Sequence, residues 1–251
     1  MIARLLSSAC IAACLTLPAS AQTAMNDADR AAFRAEVRTY LLENPEVLME
    51  AIAVLETRRD AEAAAGDRQM LADNRDAIFN DPASWSGGNL DGDITLVEFT
   101  DYRCGYCRRA HDEVAELVAS DGNIRFVIKE FPILGEASLA SSRFAVAVLQ
   151  LAGPEAYKQA HDTLITLRGE PTPEVLTRLA GDLGLDAPAV LAHMGSPEVA
   201  AVIDANRRLA ETMQINGTPT FVIDGTIGGT MVRGYVPLDG LRQIVEGQRR
   251  G

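Results

Sequence analysis

The chain has 251 residues, of which 47% are hydrophobic and 23% charged, and its net charge at neutral pH is −12. This is the balance of a globular protein with enough apolar residues to bury a core. The acidity, with lysines and arginines scattered rather than patched, argues against a nucleic-acid partner.

The first segment reads as a signal peptide over residues 1–21. Arg4 supplies a positive start and Leu5 to Leu17 an apolar stretch too short to span a bilayer. Pro18 ends it, and Ala19-Ser20-Ala21 is a small-residue cleavage site. Ile11-Ala12-Ala13-Cys14 also has the look of a lipoprotein cleavage box, with anchoring at Cys14 as the alternative. Either route takes the protein out of the cytoplasm, and the periplasm is the expected compartment. Cys10 and Cys14 lie in this segment, so Cys104 and Cys107 are the only cysteines left after cleavage. A secreted protein that used disulfides as scaffolding would hold more of them.

Residues 22–85 read as a helical arm. Phe33, Val37, Tyr40 and Leu41 share one helical face, and Val47, Leu48, Ile52 and Leu55 form a second stripe. Asn44-Pro45-Glu46 between them has the order of an N-cap followed by two first-turn residues. The stripes call for burial, against either their own domain or the same arm of another subunit. Asn80-Asp81-Pro82 and Ser86-Gly87-Gly88-Asn89 then read as breaks.

The main domain, residues 86–251, begins with a strand at Ile94 to Thr100, followed by Cys104-Gly105-Tyr106-Cys107 at the start of a helix. A second strand runs from Asn123 to Lys129. Helices are expected over 137–151, 154–167, 173–183, 187–194 and 197–213, giving a helical insertion at about 136–214. Thr220 to Ile223 and Thr226 to Val232 read as a hairpin closed at Asp224-Gly225, with a last helix over 237–248. Two strands joined through the cysteine helix make a parallel pair, hence an α/β sheet with helices on its faces.

A disulfide between residues three apart closes so short a loop that it stabilises the fold only weakly, which suits a bond that is made and broken. At a helix N-terminus, Cys104 is the expected attacking thiolate, since free N–H groups and the dipole favour its charge. Arg103 and Arg108 either add positive potential or are solvated surface groups. Cys107, one turn further in, is the expected resolving thiol. Glu98 points to the opposite face from Val97 and Phe99, towards that helix. Its burial would suit it to take the Cys107 proton. His111 follows Cys107 by four residues, so Cys104, Cys107 and His111 are three soft ligands for copper or zinc, without an evident fourth. A surface histidine is the competing identity for His111, and His161 and His193 show no ligand pattern.

Four features in this order resemble the DsbA-like family of secreted thiol–disulfide oxidoreductases. They are the Cys-Gly-Tyr-Cys motif after a strand, Glu98 six residues before it, Lys129 to Gly135 entering the insertion, and Gly217-Thr218-Pro219-Thr220-Phe221. The resemblance covers about residues 90–249 and implies a thioredoxin fold with an inserted helical domain, preceded here by the arm. It implies a cis bond at Pro219, and a substrate-binding surface formed by Thr218, Pro219, Gly105 and Tyr106. No cofactor is implied beyond the redox-active Cys104–Cys107 disulfide. The arm and Asn44-Pro45-Glu46 resemble the ScsC branch, linked to copper sensitivity, in which the arm mediates homo-oligomerisation. The Gly-Tyr dipeptide with Thr218 before the proline is the combination of DsbC-type isomerases. The expected partners are cysteine-bearing secreted proteins and a membrane redox protein, and the isomerase or reductase direction is favoured over oxidase. A copper-binding protein using the same cysteines and a holding chaperone are the competing functions.

Overall fold

The computed structural model describes residues 25–250; the signal-peptide reading, Cys10 and Cys14 lie outside them. The described residues divide into two units, with the boundary between Thr57 and Arg58.

In the first unit, α1 runs Asp27–Glu43 and α2 begins at Glu46. Asn26 caps α1 by accepting the Asp29 N–H at 2.9 Å. Asn44 does not cap α2. Its amide turns back to donate to the Tyr40 carbonyl at 2.9 Å, closing α1 instead. An asparagine between two helices can serve either end, and here the orphan carbonyl of α1 takes it. Both stripes stand out from the helices: Phe33 is 59% exposed, and Val37, Tyr40, Leu48, Ile52 and Leu55 are exposed as well. Phe33, Val37, Leu41 and Leu42 line an apolar groove of about 420 Å³, flanked by Arg34 and Arg38.

The second unit holds a five-stranded sheet in the order β1-β3-β2-β4-β5. Its strands are β1 Trp85–Gly88, β2 Ile94–Thr100, β3 Ile124–Glu130, β4 Thr220–Asp224 and β5 Thr230–Arg233. β2 and β3 are parallel and the other pairs antiparallel. Between β2 and β3 lies α4, Gly105–Asp121, which ends at Gly122 in the left-handed conformation that glycine adopts freely. Between β3 and β4 lies the insertion: α5 Glu136–Ala152, α6 Pro154–Thr166, α7 Pro173–Asp182, α8 Ala187–His193 and α9 Pro197–Thr212. The last helix, α10, is Leu238–Arg249.

Alternation along the strands sends side chains into two cores. Leu96, Phe126, Ile128, Phe221 and Ile223 pack with α4, α10 and the insertion. Val97, Phe99, Val127 and Val222 pack on the other face with Leu71, Ile78, Phe79, Leu209 and Met213. Leu71 belongs to the end of α2 (Glu46–Asp73), and Ile78 and Phe79 to α3 (Arg75–Phe79), so residues of the expected arm fill the core of the catalytic unit.

Two elements differ from the reading of the sequence. The Ser-Gly-Gly stretch expected as a break forms β1. Trp85 anchors it by stacking on Tyr157 at 5.8 Å and donating its indole N–H to the Pro154 carbonyl at 2.9 Å. Tertiary packing of one aromatic residue thus overrides weak strand propensity. The final hairpin is joined by a longer loop, because Asp224 is held by Arg75 at 2.5 Å and Thr226 by the Gln248 carbonyl at 2.8 Å.

Candidate active site

Cys104 is the N-cap residue of α4, and its thiol reaches the Thr218 carbonyl at 3.2 Å. The Thr218–Pro219 peptide bond is cis. Both cysteines are free thiols, Cys104 8% exposed and Cys107 deeper still. The Cys107 thiol donates to the Cys104 sulfur, and burial opposes the resulting charge. The Thr218 hydroxyl and the backbone N–H groups of Cys107 and Tyr106 add to the donors, pulling Cys104 down to about 5. The Thr218 carbonyl, 3.2 Å from the sulfur, favours the protonated thiol and works against this shift. Cys107 moves the opposite way, pushed far up by donating to Cys104, by burial and by the nearby Glu98 charge.

Glu98 sits on β2 between Ile128 of β3 and Phe221 of β4 and is 5% exposed. Burial raises its carboxyl to about 8; the Thr100 hydrogen bond opposes this, and the charges of Cys104 and Glu130 add to it. Glu98 also lines a cavity of about 510 Å³ with Phe126, Val114, His111 and His161, which gives its proton a route to solvent. Glu98 is thus buried on β2, at the position the sequence reading assigns to an acid facing the cysteine helix.

Gly105 and Tyr106 are exposed beside the cysteines, Tyr106 at 61% and stacked on Tyr235 at 6.2 Å. Thr218 is half-buried and Pro219 buried. Arg103 and Arg108 are partly exposed, and both are held by hydrogen bonds. Arg103 bonds the Gly169 carbonyl and Glu170, and Arg108 bonds the carbonyls of Tyr102 and Leu167. Both tie the active-site loop to the insertion. His111 does not join the cysteines. Among the described residues, the group of potential metal ligands is His111, His161 and Asp162, with His161 and Asp162 supplied by α6.

Two supports were not read from the sequence. Asp101 is buried and accepts from the backbone N–H groups of Arg103, Ile133 and Leu134 and from the Ser138 hydroxyl, pinning the loop before Cys104 to the entry of α5. Glu130 accepts from Tyr102 at 2.7 Å, Tyr157 at 2.6 Å and Ser142 at 2.7 Å. Burial raises its carboxyl to about 7 against those bonds, with the Asp101 charge adding. An acid at the end of a strand carries no local signal of partners brought by later helices.

A thioredoxin-type sheet, a dithiol at a helix N-terminus and a cis-proline loop facing it define the thiol–disulfide oxidoreductase class. Residues 95–246 match the DSBA-like thioredoxin domain, and the chain belongs to that family. Residues 29–62 match the copper resistance protein ScsC N-terminal domain. A thioredoxin-like oxidoreductase from Silicibacter pomeroyi DSS-3 is 40% identical, with a TM-score of 0.65, over 71% of this chain and 99% of its own. Proteus mirabilis ScsC in a transitional conformation is 30% identical, with a TM-score of 0.64, over 89% of this chain and 98% of its own. Na(+)/H(+) antiporter NhaA 1 of Salinispora arenicola is 31% identical over 139 residues, 55% of this chain. The chain spans about a fifth of the length of that curated relative. Among the described residues no helix is long and apolar enough to cross a membrane.

Proposed function

We propose that the protein is a periplasmic thiol–disulfide oxidoreductase acting on the cysteines of secreted proteins, in the isomerase or reductase direction. The observation that carries this reading is the placement of the two thiols: Cys104 at the N-terminus of α4, 3.2 Å from the Thr218 carbonyl, and Cys107 buried one turn further in, an arrangement that lowers Cys104 and raises Cys107. The Cys104 thiolate attacks one sulfur of a substrate disulfide, forming a mixed disulfide and releasing the other sulfur as a thiolate. In isomerisation a second substrate thiolate displaces Cys104. In reduction Cys107 gives its proton to the Glu98 carboxylate and attacks the Cys104 sulfur. That releases the substrate thiolate and leaves the Cys104–Cys107 disulfide, so two electrons pass to the substrate. A membrane electron donor would restore the dithiol.

The arm supports a homo-oligomer, because its apolar stripes stand exposed along α1 and α2. Refolding of scrambled ribonuclease by the reduced protein, with insulin reduction alongside, tests the direction. Oxidation of reduced substrates without isomerisation would overturn it. Cys107→Ser should accumulate mixed disulfides and Cys104→Ser none. A second reading, Cu(I) sequestration by the same cysteines, is favoured by the match of residues 29–62 to a copper resistance domain. Stoichiometric Cu(I) uptake that is lost in both cysteine variants, without exchange activity in the wild type, would select it.

A further inference from the structure

Two histidines that line the cavity beside Glu98, with an adjacent carboxylate, form a donor set that disulfide exchange does not use. His111 on α4 and His161 and Asp162 on α6 each offer one ligand atom, all within 4.8 Å of one another. We propose that these three residues bind a borderline divalent cation of the zinc type, separately from the dithiol.

The argument begins with the protons. Tyr102 gives its single hydroxyl proton to Glu130, 2.7 Å away. Its oxygen can then only accept from His161 Nδ1, 3.0 Å away. That places the His161 proton on Nδ1 and leaves Nε2 with a bare lone pair, for which no hydrogen-bond partner exists among the described residues. This is the second-shell device that orients a metal-binding imidazole: a carboxylate, here acting through a tyrosine, fixes the tautomer and the ring. His161 is 3% exposed, and stacking on Tyr157 at 6.0 Å holds its plane.

The other two donors are adjustable. His111 Nε2 lies 3.3 Å from Asp162 Oδ1, and both side chains retain access to solvent. Zinc takes nitrogen and carboxylate oxygen at about 2.0–2.2 Å, so tetrahedral donors stand roughly 3.4 Å apart. Closing 4.8 Å to that spacing needs movement of the two partly exposed side chains, while His161 stays as the anchor. Two imidazoles and one carboxylate match zinc and its neighbours rather than calcium or magnesium. His111 and His161 line the cavity of about 510 Å³, which leaves room for water as a fourth ligand. Lys158 competes for the site. Its ammonium group holds Asp162 at 2.6 Å, and a cation must displace it.

That competition makes the test specific. Zn(II) would be titrated calorimetrically into the untagged full-length mature protein, oxidised so that the Cys104–Cys107 sulfurs are withheld. Co(II) absorption would serve as a second readout. The expected result is one equivalent bound, with Co(II) d–d bands and no thiolate charge-transfer band. His111→Ala and Asp162→Asn should each weaken binding at least about tenfold with unchanged thermal melting. Lys158→Met should tighten it severalfold, which a merely structural cluster would not do. His193→Ala should leave it unchanged, because His193 is engaged elsewhere with Gln150 at 2.7 Å. No binding by the oxidised protein, or equal affinity in wild type, His111→Ala and Asp162→Asn, would overturn the proposal.

Discussion

Replacing Glu98 by glutamine should change how stability depends on pH more than it changes stability itself. The buried carboxyl is raised from 4.5 to about 8. Between those values the folded protein keeps a proton that the unfolded chain has lost. Stability contributed by this group is therefore complete below pH 4.5 and falls as pH rises towards 8. Each unit in that window is worth about 1.4 kcal/mol. From pH 5 to pH 8 the group thus removes about 3 kcal/mol, after allowing for partial titration at both ends. Glutamine keeps the shape and carries no proton to lose. Urea unfolding of the reduced wild type and the Glu98→Gln variant at pH 5 and pH 8 measures this directly. The variant's advantage should grow by about 3 kcal/mol across that range. Cys104 runs the opposite way, gaining stability as pH rises above its folded value of about 5, but it is common to both proteins and cancels in the difference. Stability differences that are equal at pH 5 and pH 8 would refute the assignment of Glu98 as a buried, protonated acid.

Iodoacetamide at pH 6 should modify Cys104 within minutes and leave Cys107 intact; mass spectrometry that finds Cys107 labelled first would reverse their roles. Asp101→Ala should cost about 3 kcal/mol or more in chemical unfolding, because four donors around a buried carboxylate lose their acceptor. Deleting residues 22–57 should give a folded monomer by light scattering. Extending the deletion to residue 75 should destabilise the domain as well, because it removes Leu71 from the core and Arg75 from Asp224. A full-length protein that is monomeric at micromolar concentration would remove the arm from assembly.

The parts of the site legible in the sequence were those with a local cause. The dithiol spacing set Cys104 at a helix start and Cys107 one turn inside. Strand alternation sent Glu98 to the face opposite Val97 and Phe99, as the two cores show. Parts that depend on distant segments left no such trace. The Arg103 and Arg108 side chains look like surface charge until the 167–170 segment supplies their acceptors. His161 looks unremarkable on its own helix and gains meaning only from Tyr102 behind it and His111 beside it. β1 failed as a strand by composition and exists because Trp85 has Tyr157 and Phe126 to pack on.

The buried acids and the thiolate form one electrostatic system. The charge on Cys104 and the charge on Glu130 both raise Glu98, and the Glu98 charge in turn raises Cys107. Burial is the main reason that Glu98 keeps its proton, and negative charge on Cys104 in the dithiol form adds to it. Capping Cys104 with a substrate sulfur neutralises that charge. The largest influence holding Cys107 up, its hydrogen bond to Cys104, weakens with it, and the repulsion raising Glu98 is reduced. Both changes favour the carboxylate and the second thiolate when the mixed disulfide has to be resolved. The same charge that makes Cys104 reactive therefore keeps Cys107 silent until attack has occurred.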